Sequence, residues 1–226
     1  MTIQYETDDE IRAKLMSMGL DIEALGAAMK SSFAAFNTCG NLDAPSFKGT
    51  LGWNTALVVL RERLQQSRVW EINNIQNFCL TENPKTGISI AVISGNKHTG
   101  KVRLPSGIQP NTRGKLGLFR EASATKNSCQ MELFSDEMLE AFGEPEIIEK
   151  MKKLDHEVWF FLINNYDDRP YAELSLPYLD SDGNVLKWKE RIILPNPDGS
   201  GLEEQQPTIP DSNDDFGIEV TFKKNV

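Results

Sequence analysis

The chain has 226 residues, 39% of them apolar and 25% charged, which is long enough to bury a sizeable core and too apolar for a disordered or fibrous protein. Its formal net charge of −9 disfavours any general affinity for nucleic acid. No apolar run approaches the roughly 20 residues that cross a bilayer, so no membrane partner is expected.

Met1–Glu10 is acidic where a secretory leader would be basic and then apolar. Cys39, Cys79 and Cys129 form an odd, widely spaced set with no CxxC. They read as reduced thiols buried as small apolar groups, and the expected compartment is the cytoplasm.

Thr7 followed by Glu10 is a capping-box pattern, with Asp8 and Asp9 placed for the first turn of a helix. Ile11, Leu15, Met18, Ile22, Leu25, Met29 and Phe36 then recur at helical spacing on one face. Gly19 is expected to end a first helix and Asp21 to cap a second. Asn37–Thr50 collects turn residues, and Trp53, Leu57, Leu60 and Leu64 mark a further helix closing near Gln66.

From Val69 the pattern becomes β-branched and aromatic. Val69–Leu80 and Ile88–Ser94 are expected to pair as a hairpin across Asn83–Gly87. Residues 95–117 hold glycines and prolines with little periodicity and read as a long loop. Ser135–Lys153 reads as a helix interrupted near Pro145.

Strands are expected at Glu157–Asn164, Tyr171–Leu179, Val185–Leu194 and Phe216–Phe222. Unbroken apolar sequence at Trp159–Ile163 predicts a central strand buried on both faces. The expected fold class is α+β: a helical N-terminal third, residues 1–68, packed on a largely antiparallel β-sheet in residues 69–226, the two forming one composite domain.

Charge is distributed unevenly. Asn83–Arg120 carries seven bases (Lys85, Lys97, Lys101, Arg103, Arg113, Lys115, Arg120) and no acid, whereas Ile192–Phe222 carries seven acids beyond Arg191 and no base. A one-signed island of this kind points to an anionic partner or an internal counter-charge.

Gly95–Lys101 has the GxxxxGK spacing of a phosphate-binding loop, but Val102 stands where the magnesium-binding hydroxyl belongs, and Pro105 and Pro110 oppose the helix that should follow. A nucleotide-hydrolysing loop is therefore not expected. A glycine-bearing cationic loop with free backbone amides is, and its expected anion- or nucleic-acid-binding residues are Lys97, His98, Lys101, Arg103, Arg113, Lys115 and Arg120.

Asp155-His156-Glu157 cannot converge on a strand, where neighbours point to opposite faces. Asp167, Asp168 and Glu173 lack the ExK of a metal nuclease, and Asp180–Asn184 lacks the glycine and glutamate of a calcium loop. No catalytic, metal or cofactor site is expected.

The function expected is a non-enzymatic accessory or binding protein. Its partner is nucleic-acid phosphate or an acidic protein surface. The alternative is a structural subunit of a larger complex or homo-oligomer, joined by the basic loop and acidic tail; an enzyme of unidentified class ranks third.

Overall fold

The computed structural model describes residues 2–75, 78–112, 157–179 and 185–195. The helix expected at 135–153, the strand at 216–222, Cys129, Asp155, His156, Asp180–Asn184 and the acidic run from Asp198 to Glu219 lie outside them.

The first helix, α1 (Asp8–Ser17), starts from the expected box: Glu10 N–H donates to Thr7 Oγ1, and the Thr7 N–H donates to the Glu10 carboxylate at 3.3 Å. These bonds hold the Glu10 carboxyl below its ordinary pKa, the Thr7 side chain contributing most. Gly19 then takes φ +72, and a Cβ there would meet Asn83 Nδ2 at 2.8 Å, so both backbone and space require glycine. Asp21 caps α2 (Ile22–Thr38) through the Glu23 N–H.

The turn before α3 (Phe47–Gln65) is shorter than the expected Asn37–Thr50, because Thr38 still belongs to α2 and a tight turn (Phe47 N–H to Ala44 O, 2.9 Å) starts α3 early. At Gly52 the two long helices come together: Ser32 Oγ donates to the Gly52 carbonyl at 2.8 Å.

The strands are β1 (Ile3–Tyr5), β2 (Glu71–Ile75), β3 (Phe78–Asn83), β4 (Ile88–Ser94), β5 (Glu157–Asn164), β6 (Tyr171–Leu179) and β7 (Val185–Ile193). They form one seven-stranded sheet in the order β1-β7-β6-β5-β4-β3-β2. Four pairings are antiparallel; β1 with β7 and β4 with β5 are parallel. The fold is α+β, three helices between β1 and β2 packing on a mixed, mainly antiparallel sheet.

Two elements differ from expectation. Val69–Leu80 is two strands, β2 and β3, folded on each other with Ile75 opposite Phe78. Glu71–Asn74 makes an exposed edge with no burial period to separate it from β3. Strand β1 was not anticipated, since three residues carry no readable period and it exists only as a partner for β7.

All seven apolar residues of the first helical stripe are buried, and six of them, from Ile11 to Met29, join Leu57, Leu60, Leu64, Ile90, Val92, Trp159, Phe161, Leu174 and Ile192 in one cluster between helices and sheet. The opposite face of the sheet is buried too, at Ala91, Ile93, Phe160 and Leu162. Strand β5 is therefore covered on both sides, as its unbroken apolar sequence implies. Cys39 and Cys79 are in no disulfide and only half-buried, a correction to the expected fully buried thiols. Among the described residues no helix is long and apolar enough to cross a membrane.

Candidate functional site

Because β4 and β5 are parallel neighbours, they deliver their following loops to the same end of the sheet. β4 leads into the glycine-bearing stretch 95–112, and β5 leads into the turn before β6. The turn is shaped by Asn164, whose Oδ1 accepts from Tyr166 N–H (3.1 Å) and whose amide donates to Asp167 (3.1 Å).

Most amides at the start of stretch 95–112, where the phosphate-loop spacing falls, are already bonded. Gly95 N–H donates to Ile163 O at 2.8 Å, Asn96 N–H to Asn111 O at 2.9 Å, Thr99 N–H to Asn96 O at 3.0 Å and His98 N–H to Asn96 Oδ1 at 3.0 Å. Gly100 N–H donates 2.9 Å to the Glu173 carboxylate. A phosphate cradle needs those donors unspent and a helix behind them, and this segment has neither. The correction has a simple cause: amides in a loop pressed onto a sheet face must be satisfied locally.

The clamp beneath the loop is an ion pair on the sheet face away from the helices. Arg191 Nη2 lies 2.5 Å from Glu173 Oε2, with the side chains 6% and 0% exposed. Ser175 Oγ donates to Glu173 at 3.0 Å, and Arg191 also reaches the Lys101 carbonyl (3.2 Å) and Gln4 Oε1 (2.9 Å). Gln4 in turn donates to Val102 O, Gln109 to Val185 O, and Trp188 Nε1 to Pro110 O. Strands β1, β6 and β7 thus hold the loop from residue 100 to 110. Glu173 is a structural anchor here, not a metal ligand with Asp167 and Asp168, and among the described residues no cluster suited to a metal ion occurs.

The anchored backbone presents a cationic corner. Lys101 Nζ sits 5.3 Å from the Tyr171 ring centroid and 3.6 Å from Asp167 Oδ2. Arg169 lies on the same ring, 5.4 Å from its centroid, and donates from Nε to the Tyr171 hydroxyl at 2.8 Å. His98 is half-buried beside them; burial, then Lys97, then Lys101 hold its imidazole below the ordinary value, Asp167 pulling the other way.

Of the expected residues, Lys97, His98 and Lys101 therefore come together. Arg103 is exposed further along the loop. Arg113, Lys115 and Arg120 lie outside the described residues. Arg169 and Tyr171 were missed: both follow an acidic turn, Asp167-Asp168, which masks them in any count of charge along the chain. Lys101 is also not a bare cation, since Asp167 partly neutralises it, although at 28% and 29% side-chain exposure that pair contributes at most about 1 kcal/mol.

Comparison with protein-family models, curated proteins and solved structures finds no match.

Proposed function

We propose that this chain is a non-enzymatic binding protein that engages an anionic partner through the corner formed by Lys97, His98, Lys101 and Arg169, with nucleic-acid phosphate as the specific form. The observation supporting this reading is the convergence of cations from two segments some 70 residues apart onto Tyr171 at one end of the sheet. The amides of Gly95, Asn96, His98, Thr99 and Gly100 are spent, so recognition runs mainly through side-chain charge: it neutralises phosphates and reads little sequence.

The test is a titration of the full chain with a fluorescent single-stranded oligonucleotide. About four phosphate contacts give a slope near −2.8 in log affinity against log salt, a loss of roughly 50-fold between about 50 and 200 mM. Replacing Lys97, Lys101, Arg103 and Arg169 together by Gln is expected to abolish binding. Salt-insensitive binding, or an unaffected variant, overturns the reading. If removing Asp198–Asp215 dissociates a native complex and leaves oligonucleotide affinity unchanged, the assembly-subunit reading replaces it.

A further inference from the structure

On the helix side of the same sheet end, a small cavity of about 10 Å³ lies between α2, α3 and the ends of β4 and β5, walled by Phe36, Trp53 and Tyr166 and floored by Ser32 and Asn165. Asn165 is 8% exposed, and among the described residues its Oδ1 has no hydrogen-bond partner. The orientation of that amide follows from its neighbours. Ser32 Oγ commits its proton to the Gly52 carbonyl (2.8 Å), so it can only accept from Asn165, and Asn165 Nδ2 stands 2.7 Å away as that donor. Rotating the amide would set two acceptors against each other. The oxygen must therefore be the orphan.

No group in the wall donates to it: the Trp53 indole N–H donates to Val92 O at 2.8 Å, and neither the Ser94 nor the Tyr166 hydroxyl, which also line the cavity, bonds to the Asn165 oxygen. A buried carbonyl left without a donor is costly to desolvate, which calls for an external donor. The volume admits about one water and nothing of metabolite size. No carboxylate lines the cavity, so a neutral donor is favoured over a cation. We propose that this cavity is a binding site for one water molecule donating to Asn165 Oδ1. The water would complete the Asn165 side chain that already ties Ser32 of α2 to the turn carrying Asp167 and Arg169, and this inference stands independently of what the cationic corner binds.

A crystal structure of the full chain at about 1.6 Å tests it without any variant. Expected is a well-ordered water about 2.6–3.2 Å from Asn165 Oδ1. A cavity without density, or an Asn165 oxygen bonded to another protein group, overturns the proposal. In solution, oxygen-17 relaxation dispersion is expected to count one fewer long-lived water in Asn165→Leu than in the native chain, and equal counts in a folded variant contradict it.

Discussion

Arg191 meets Glu173 across the β6–β7 pair at 2.5 Å, inside the sheet face that carries the loop, and the same two side chains hold the backbone of Gly100 and Lys101. Two strands therefore determine where the cations of another segment stand.

Removing one partner leaves the other charged and buried, which costs about 3–5 kcal/mol. Glu173→Gln or Arg191→Met is expected to lower unfolding free energy by that order in urea titrations. The double replacement by Met is expected to cost less than either single change, because no lone charge remains. Trypsin should also cut faster after Lys97, Lys101 and Arg103 in the single variants. Singles that cost less than about 1 kcal/mol would show that the pair does not hold the loop.

Phe161 is fully buried on the helix side of β5, between Val92 of β4 and Leu174 of β6 in the shared cluster. Phe161→Ala should cost about 3–5 kcal/mol, the transfer loss plus a cavity that a strand held on both sides cannot close. Chemical denaturation reads this directly, and a loss below about 1 kcal/mol would be incompatible with a central position.

At Gly52 an added methyl would meet Asn165 Nδ2 at 2.9 Å and both Phe36 Cβ and the Ser32 carbonyl at 3.4 Å. Gly52→Ala is therefore expected to destabilise by about 1–3 kcal/mol despite its better helix propensity. A gain in thermal stability would mean that the helices are not packed this closely.

His98 titrates below its ordinary value of 6.5 in the folded chain, so the unfolded chain takes up the proton first. Its contribution to stability is complete above about pH 6.5 and is lost as pH falls through the lowered folded value. His98→Gln should flatten that part of the acid limb. Burial lowers His98 most and the charges of Lys97 and Lys101 add to it; a polyanion docked on the two lysines opposes their share, so binding should take up a proton and tighten from about pH 7.5 to 5.5. Calorimetry in buffers of different ionisation enthalpy checks the uptake; pH-independent affinity would place the anion elsewhere.

The secondary elements were largely legible because their signals are local. Thr7, Glu10 and Asp21 act within one helical turn, and the helical stripe from Ile11 to Phe36 needs only its own spacing. Strands β4 to β7 were readable for the same reason, with turn residues bounding apolar or alternating runs. Where the local signal is absent, in three-residue β1 or the exposed edge Glu71–Asn74, reading along the chain does not resolve the element.

The site was half legible. Lys97, His98 and Lys101 stood out as an acid-free island, whereas Arg169 lay hidden behind Asp167-Asp168. The supposedly free amides of 95–101 were miscounted because their acceptors, Ile163, Glu173 and Asn111, are distant or lie on other elements. Sequence by itself determined the helix caps, the apolar faces and the sign of charge along the chain, since each depends on neighbours within a few residues. Only the tertiary structure decided which charges meet and which donors are spent, because the parallel β4–β5 pairing and the buried Glu173–Arg191 contact join residues tens of positions apart.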